Sequence, residues 1–319
     1  MTRRRCVITD YMGDDTSLEE ELLGQAGFDV FVATSPDPET WAGRAAEADA
    51  ILTRHAPVRA DTIRLLKRCR VISRYGTGHD NIDIEEALSR GIVVTNVPGY
   101  CTDEVADHAM TLLLMAARHV DVLTNSVRAG DWTPNPLPPI RRIRGRRLGL
   151  IGLGRIGAAV GVRAQAFGLQ VHAYDPFVSK APDDVVIEES VEELLRSADF
   201  VSLHAPLTHN TKHILDTDRL ALLPEGAIVI NVSRGGLLDL GALLDALDAG
   251  RLAGAAIDVA EQEPLPPDDR SRNHPGLIVT PHMGYYSTTS VEEAKRRSAS
   301  EIIRVINGEP PENPVYLTK

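Results

Sequence analysis

Short runs of apolar and β-branched residues alternate with longer stretches of helical periodicity along most of the chain. In the first hundred residues these runs are Cys6–Thr9, Asp29–Ala33, Ala50–Thr53, Val71–Ser73 and Val93–Asn96. Strands separated by a helix of ten or more residues pair in parallel through right-handed crossovers, because a tight hairpin cannot join parallel strands. The pattern therefore predicts an α/β fold built on parallel sheets.

A second series of apolar runs follows a stretch rich in proline. Residues Asp131–Ile140 include four prolines and predict a loop. Beyond this loop, buried-strand patterns occur at Arg147–Ile151, Val171–Tyr174, Phe200–His204, Ala227–Asn231, Ala255–Ile257 and Ile278–Thr280. Six strands with intervening helices fit a doubly wound Rossmann sheet.

Two helices are predicted outside these alternations. One starts at Thr102, has acidic residues in its first turn and is expected to run as a connector to near Gly130. The other spans Thr289–Asn307, and Gly308 is a suitable stop for it. The longest apolar run, Met110–Ala117, is far shorter than the roughly 20 residues that span a bilayer.

Composition narrows the range of functions. The chain has 319 residues, 43% of them hydrophobic, which suits two domains of about 150 residues each. A formal net charge of −11 argues against non-specific binding to nucleic acid. Two arginine clusters, at 3–5 and 141–147, are either solvated loop charges or surfaces that bind an anion or an acidic partner.

The three cysteines indicate a reducing compartment. Cys6, Cys69 and Cys101 are scattered and odd in number, so they predict neither a disulfide framework nor a metal site. The basic N-terminus is not followed by the apolar core of a signal peptide. We expect a cytoplasmic protein with no membrane anchor and no bound metal.

A glycine-rich turn opens the second series. Gly152, Gly154 and Gly157 follow a predicted strand and begin a helix, the arrangement that brings backbone amides close to a pyrophosphate. Asp175 lies 18 residues after Gly157, at the end of the next strand, where a carboxylate accepts hydrogen bonds from ribose hydroxyls. Pro176 and the residues after it supply no cation for a 2′-phosphate, so the sequence predicts NAD rather than NADP.

Three residues suited to catalysing the reduction of a ketone follow later strands of the same sheet. Arg234, Glu263 and His282 come after the strands that end at Asn231, Ile257 and Thr280. An arginine grips a carboxylate, and a histidine exchanges a proton while a glutamate holds its tautomer. The carboxyl ends of parallel strands are where ligands bind, so we expect these side chains to converge.

Taken together, the motifs resemble those of the D-isomer-specific 2-hydroxyacid dehydrogenases. This family includes phosphoglycerate dehydrogenases, hydroxypyruvate and glyoxylate reductases, and the C-terminal-binding proteins. The resemblance covers nearly the whole chain and rests on Arg74–Gly78 with Asp80–Asp83, Gly152–Gly157, Tyr174–Pro176, Asn231–Gly236, Asp258–Pro264 and Thr280–Gly284.

The resemblance implies a role for each matching residue. It implies that Arg234, His282 and Glu263 are catalytic and that Asp258 lies near the nicotinamide amide. It further implies cofactor contacts at Thr77, Gly152, Gly154, Arg155, Ile156, Gly157, Asp175, Ala205, Pro206, Thr211, Val232, Ser233, Asp258 and Gly284. The implied substrate contacts are Arg54, Arg74, Tyr75, Gly76, Thr77 and Arg234.

The resemblance also implies a domain plan. A flavodoxin-like substrate domain would comprise residues 1–99 and 285–319, and an NAD-binding Rossmann domain, 100–284, would be inserted into it. The helix that starts near Thr102 would form part of a homodimer interface. The implied reaction is hydride transfer between NAD and a small 2-keto or D-2-hydroxy acid, such as glyoxylate, hydroxypyruvate or 3-phosphohydroxypyruvate.

Several alternatives remain open. Arg54 and Arg74 resemble arginines that phosphoglycerate dehydrogenases place near a phosphate, but each could instead pair with local carboxylates. Tyr285 and Tyr286 depart from the small residues of many relatives and resemble the C-terminal-binding proteins, so they either shape a substrate pocket or pack at an interface. An NAD(H)-responsive regulatory protein and a dehydrogenase of a phosphonate- or phosphite-type substrate are the two rival functions.

Overall fold

The chain forms two compact units in the computed structural model, which describes residues 3–132, 140–178, 180 and 182–316. One unit comprises Met1–Cys101 and Tyr286–Lys319, and the other comprises Thr102–Tyr285. The boundaries predicted after residues 99 and 284 lie within two residues of these. Which unit binds substrate and which binds cofactor stays a prediction.

Helices and strands alternate through both units. The first unit contains β1 (Arg4–Ile8), α1 (Ser17–Gln25), β2 (Phe28–Val32), α2 (Pro38–Ala45), β3 (Ala50–Thr53), α3 (Ala60–Leu65), β4 (Val71–Arg74), α4 (Ile84–Ser89) and β5 (Val93–Thr95). The second contains α5 (Thr102–Arg118), α6 (Val120–Arg128), β6 (Arg147–Ile151), α7 (Arg155–Ala166), β7 (Gln170–Tyr174), β8 (Val185–Ile187), α8 (Val191–Ser197), β9 (Phe200–Leu203), α9 (Thr217–Leu220), β10 (Ala227–Asn231), α10 (Leu240–Asp248), β11 (Leu252–Ile257) and β12 (Leu277–Val279). The last helix, α11 (Thr288–Asn307), belongs to the first unit.

The first unit is a five-stranded parallel sheet in the order β2-β1-β3-β4-β5. This is the strand order of flavodoxin-like sheets. Its core includes Trp41, Ile51 and Ile72, all fully buried. Helices α1 and α11 pack against each other. Ser287 caps α11 by accepting a hydrogen bond from the amide of Ser290, and Gly308 ends it at φ 83°.

The second unit is a seven-stranded parallel sheet in the order β12-β11-β10-β9-β6-β7-β8. The strand order reverses at β6, which lies between β9 and β7, and such a switch point is where doubly wound sheets bind ligands. The predicted α/β class is therefore confirmed. All predicted strands occur, and their ends differ from the prediction by up to three residues.

Two predictions for the second unit are wrong. The six-strand count misses β8, a three-residue edge strand preceded by Asp184 and followed by Glu188, which has no long apolar run. The single helix from Thr102 is two helices, because His119 adopts a left-handed backbone conformation at φ 50° between them. Residues 133–139 of the predicted proline-rich loop lie outside the described residues.

The second arginine cluster is engaged with its own fold. Arg141 donates to the carbonyl of Glu225, and its guanidinium lies against Gly226. Arg146 pairs with Asp199, and Arg144 covers Gly168. These contacts favour a structural role for the three arginines over an anion-binding surface. Within the described chain, no helix has the length and apolar character needed to cross a membrane.

Candidate functional site

The glycine-rich turn joins β6 to α7 at the switch point. Gly152 has φ 95°, and a Cβ there would lie 2.7 Å from the backbone nitrogen of Ala205. At Gly157 a Cβ would lie 2.3 Å from the carbonyl oxygen of Gly152. Both positions therefore require glycine for close backbone packing. Apart from adjacent residues of its own segment, no described residue has an atom within 4 Å of a Cβ placed on Gly154, so this position offers an open approach to the turn.

Asp175 fits the acidic position of a dinucleotide site. It directly follows β7, and its Oδ2 accepts a hydrogen bond from the Leu153 amide at 2.9 Å. Its Oδ1 accepts from the amide of Phe177 at 2.9 Å. The carboxylate is thus held beside the glycine-rich turn. Arg155 and Ile156 begin α7, and the amino end of that helix points its dipole toward the same place.

The loops after β9 and β10 lie beside this turn and are tied together. Ser233 donates through Oγ to the carbonyl oxygen of Ala205 at 2.7 Å. Thr211 donates through Oγ1 to the carbonyl oxygen of Pro206 at 2.6 Å. Val232 is 8% exposed. The two hydroxyls therefore shape the backbone on which the predicted adenosine and pyrophosphate contacts lie.

His282 and Glu263 form a hydrogen-bonded pair. Nδ1 of His282 lies 2.6 Å from Oε2 of Glu263, and the other carboxylate oxygen accepts from the Ala260 amide at 2.9 Å. The His282 and Glu263 side chains are 31% and 35% exposed, so the pair can be reached from solvent. The Tyr285 ring packs edge-on against the imidazole at 6.4 Å. This arrangement can hold one imidazole tautomer and stabilise the imidazolium.

Asp258 anchors the segment that carries His282. Its Oδ1 accepts from Thr280 Oγ1 at 2.6 Å and from the Met283 amide at 2.9 Å, and its Oδ2 accepts from the Gly284 amide at 2.8 Å. The carboxylate is 2% exposed. Burial raises the pKa of Asp258, but these hydrogen bonds and one from a histidine outweigh it and hold the pKa below its usual value.

That histidine is His108, which no sequence motif indicated. It lies on α5, and its Nε2 is 3.1 Å from Thr280 Oγ1 and 3.3 Å from Asp258 Oδ1. A histidine facing inward from an otherwise apolar helix face is the signal that could have found it. The His282 backbone is left-handed, with φ 54°. The Asp258 hydrogen bonds on either side of it hold this less favourable conformation.

Arg234 follows β10 in extended backbone, just before a 3₁₀ turn at Gly235–Leu237. Its Nη1 donates to the Ser233 carbonyl at 2.8 Å, and its own carbonyl accepts from the Asn231 side chain at 2.9 Å. A Cβ on Gly235 would lie 1.9 Å from the carbonyl carbon of Ala260, so the Arg234 and Glu263 segments pack directly together. The three candidate catalytic residues therefore follow the adjacent strands β10, β11 and β12.

The candidate residues of the first unit also lie at strand ends. Arg54 follows β3, and its amide donates to Asp10 Oδ1 at 2.8 Å. Arg74 ends β4, and its Nη1 lies 2.5 Å from the position of a Cβ on Gly76. Thr77 is exposed, and its carbonyl accepts from the Asn96 side chain at 2.7 Å. These neighbours form a polar surface at the carboxyl edge of this sheet.

Tyr75 corrects one prediction. Its side chain is fully buried, with the hydroxyl donating to Glu19 Oε1 at 2.6 Å. Its amide donates to the carbonyl of Thr53 at 2.9 Å. A ring packed in the interior cannot line a binding cleft, so the expected substrate contact through this side chain is wrong. The neighbouring Gly76 and Thr77 are the residues of this loop that stay candidates.

Comparisons with known proteins agree with this architecture. Residues 110–284 match the family described as "D-isomer specific 2-hydroxyacid dehydrogenase, NAD binding domain". The chain is 38% identical to a D-3-phosphoglycerate dehydrogenase of Methanocaldococcus jannaschii, over 98% of this chain and 59% of that protein. It is 39% identical to a glyoxylate reductase of Korarchaeum cryptofilum, over 81% of this chain and 79% of that protein.

A solved structure is similar along the whole chain. The TT0316 protein from Thermus thermophilus superposes with a TM-score of 0.89 and 35% identity, covering 98% of this chain and 100% of that one. The present chain spans only about three fifths of the phosphoglycerate dehydrogenase, but most of the glyoxylate reductase. By sequence and by fold, this chain belongs to the D-isomer specific 2-hydroxyacid dehydrogenase family.

Proposed function

We propose that the protein is an NAD-dependent oxidoreductase that interconverts a small 2-keto acid and its D-2-hydroxy acid. The observation that carries this proposal is the His282–Glu263 pair, 2.6 Å apart, in the same unit as the glycine-rich turn. An acid/base pair and a dinucleotide turn on one parallel sheet are what reversible ketone reduction requires. Family membership supports the same reaction class.

His282 is the proton donor in this proposal. Its Nδ1 faces Glu263, so Nε2 is the nitrogen that delivers a proton to the substrate carbonyl oxygen. Glu263 stabilises the imidazolium before transfer and fixes the tautomer afterwards. Arg234 binds the substrate carboxylate and polarises the carbonyl, a task suited to a planar guanidinium with two parallel donors. Gly76 and Thr77 supply further backbone contacts to the carboxylate.

The second unit fits NAD. When bound, NADH supplies the hydride that reaches the carbonyl carbon. Amides at Gly152–Gly157 would hold the pyrophosphate, and Asp175 would accept hydrogen bonds from the ribose. Asp258 and Gly284 would lie at the nicotinamide amide. Oδ2 of Asp258 accepts a hydrogen bond from the Gly284 amide and has capacity for another donor. The remaining contacts would come from Thr77, Ala205, Pro206, Thr211, Val232 and Ser233.

We propose that Arg54 and Arg74 select an anionic substituent on the substrate. Arg54 follows β3 and Arg74 is the last residue of β4, both at the carboxyl edge of the first sheet. Asp10 fixes the Arg54 loop by accepting hydrogen bonds from three successive amides, 54–56. A phosphate or second carboxylate on the keto acid would benefit from two guanidinium groups. The substrates we propose to test first are therefore 3-phosphohydroxypyruvate, hydroxypyruvate and glyoxylate.

We also propose a cytoplasmic homodimer. Helix α6 follows α5 after the break at His119. None of its nine residues is buried, and Val120 and Val127 are 43% and 49% exposed. An apolar face of this kind suits contact with a second copy of the chain. Three free cysteines support a reducing compartment. Sedimentation of the protein with Val120→Glu and Val127→Glu, compared with wild type, tests the dimer.

Loss of NADH absorbance with a panel of 2-keto acids tests the function. The panel contains glyoxylate, hydroxypyruvate, pyruvate, 2-oxoglutarate, 3-phosphohydroxypyruvate and phosphonopyruvate. Replacing Arg54 and Arg74 by glutamine should raise the Michaelis constant for the phosphorylated acid at least tenfold more than that for pyruvate, since only the former loses two charge pairs. Equal effects would contradict the assignment of the arginines. Tight NADH binding without turnover on any acid would favour the regulatory alternative.

A further inference from the structure

Three ionisable side chains from separate segments meet in the interior of the first unit. Glu19 lies in the first turn of α1, Tyr75 follows β4, and Lys295 lies on α11. Glu19 and Tyr75 are fully buried, and Lys295 is 7% exposed. Groups of this kind are costly to remove from water, so their partners decide what they do.

The contacts run from α11 through Glu19 to the loop after β4. The Tyr75 hydroxyl donates to Glu19 Oε1 at 2.6 Å. Lys295 Nζ lies 3.6 Å from Glu19 Oε2 and donates to the Asp15 carbonyl at 2.6 Å. Among the described residues, Oε2 has no hydrogen-bond donor. Tyr75 is therefore the hydrogen-bond donor that holds the Glu19 carboxyl.

The charge states fit a tightly held phenol. Burial raises the pKa of Glu19, while the hydrogen bond from Tyr75 and the positive charge of the nearby Lys295 ammonium oppose that rise. Burial and the adjacent Glu19 carboxyl raise the pKa of Tyr75 well above its usual range. Tyr75 therefore stays protonated and donates its hydrogen bond throughout the physiological pH range.

A phenylalanine would fill the same space as Tyr75 without burying a hydroxyl or requiring a buried carboxyl. Replacing buried polar groups with apolar ones of similar shape is often neutral or stabilising, so the network is not explained by stability alone. Its placement offers another reason. Tyr75 lies directly between Arg74 and Gly76, and the Gly76 carbonyl accepts from the Val97 amide at 2.9 Å. The buried Tyr75 phenol thus fixes the loop of residues 74–77 from the interior of the unit.

We propose that Glu19 is a positioning residue for substrate binding: through Tyr75, it sets the backbone of residues 74–77 that faces the 2-keto acid. This inference rests on the proposed function, because it gives the loop the role of holding the substrate carboxylate. Glu19 itself touches no substrate. A small displacement of these amides and of the Arg74 side chain weakens binding of the keto acid more than binding of NAD, because Thr77 is the only proposed cofactor contact in this loop.

The test compares Tyr75→Phe and Glu19→Ala with wild type in steady-state kinetics. Both variants should raise the Michaelis constant for the preferred keto acid by about tenfold, with kcat within about twofold of wild type and a smaller rise in the Michaelis constant for NADH. Glu19→Gln keeps an oxygen acceptor for the Tyr75 hydroxyl and should restore most of the affinity. Glu21→Gln, on the exposed face of the same helix, and Tyr316→Phe, 70% exposed, are matched controls and should behave as wild type.

The outcomes separate the inference from the proposed function. An unchanged Michaelis constant in Tyr75→Phe, or a fall in Tm alone, would overturn the inference. If wild type itself reduces no acid in the panel, the proposed function fails, and hydrogen exchange then tests the positioning role. Faster exchange of the amides of residues 74–78 in Tyr75→Phe than in Tyr316→Phe would support it, and equal exchange would refute it.

Discussion

Replacing Asp258 with asparagine tests how the His282 segment is held. The carboxylate accepts from Thr280 Oγ1 and the Met283 amide on one oxygen and from the Gly284 amide on the other. Asparagine has one oxygen acceptor. If that oxygen replaces Oδ1, the hydrogen bonds from Thr280 and Met283 survive, together with the His108 contact at 3.3 Å. The amide nitrogen then faces the Gly284 N–H, so two donors meet in a site that is 2% exposed.

The expected cost follows from this count. Leaving one buried donor unsatisfied costs about 1–3 kcal/mol, and the charged hydrogen bonds that remain become neutral ones of roughly half the strength. We expect Asp258→Asn to lower the free energy of unfolding by about 3 kcal/mol. Since the released segment carries His282, kcat should also fall, on the order of 10- to 100-fold.

The effect also depends on pH in a defined direction. The pKa of Asp258 is lowered in the folded protein from its ordinary 3.8, so its contribution to stability is fully present above that value. It is lost as the pH falls through the lowered pKa, because the folded state must then take up the proton. The stability difference between wild type and Asp258→Asn should therefore be constant from about pH 5 to 8 and shrink below about pH 4.

Urea unfolding followed by far-UV circular dichroism measures this difference at each pH, since the buried tryptophan, Trp41, lies in the other unit. Asp218→Asn, at an exposed position, serves as the control for the loss of one negative charge. An Asp258→Asn protein within about 0.5 kcal/mol of wild type at neutral pH would refute the hydrogen-bond count. A stability difference that widens on acidification would refute the direction of the pKa shift.

Three further predictions concern the second unit. His282→Asn should lower kcat on the order of 100-fold or more and spare NADH binding by titration; near-normal turnover would remove His282 from the mechanism. Asp175→Ala should raise the Michaelis constant for NADH and reduce the preference for NADH over NADPH. An unchanged Michaelis constant for NADH would contradict the ribose contact. Burial lowers the pKa of His204 from 6.5 to about 4, so wild type should lose up to about 3 kcal/mol of unfolding free energy as the pH falls between these values. The His204→Gln protein should not show this loss. Equal losses for the two proteins in urea unfolding would contradict the prediction.

The sequence predicts the fold wherever an element is long or buried. Strands such as Ala50–Thr53 and Ala227–Asn231 occur within their predicted bounds because fully buried parallel strands leave unbroken apolar runs. The edge strand Val185–Ile187 leaves no such run, since none of its side chains is fully buried and Val186 is 51% exposed. The break at His119 was also unpredictable, because nothing in local composition requires a left-handed histidine inside an otherwise helical pattern.

The candidate site divides along similar lines. The spacing of the glycines predicts the dinucleotide turn, and the positions directly after predicted strands indicate Glu263 and His282. Both signals come from short stretches of sequence. Side-chain direction is not local. The motif placed Tyr75 in the cleft, whereas its ring turns inward to Glu19, 56 residues earlier. His108 reaches Asp258 from a helix 150 residues away along the chain, and pairing across that distance is decided only by packing.

Each unit thus keeps a buried carboxyl behind a loop with proposed ligand contacts, but the two carboxyls are held in opposite ways. Asp258 has several donors, and its pKa is lowered; Glu19 has one strong donor, and burial raises its pKa. An acid with a raised pKa binds more protons in the folded state, so its contribution to stability falls as pH rises past its ordinary value. Neutral replacements at the two positions should therefore shift the pH dependence of stability in opposite directions. The hydrogen bonds of Asp258 fix the segment that carries His282. Glu19, by contrast, keeps a carboxyl buried at a cost in stability. That cost is expected if Glu19 serves to shape the loop of residues 74–77 rather than to stabilise the unit.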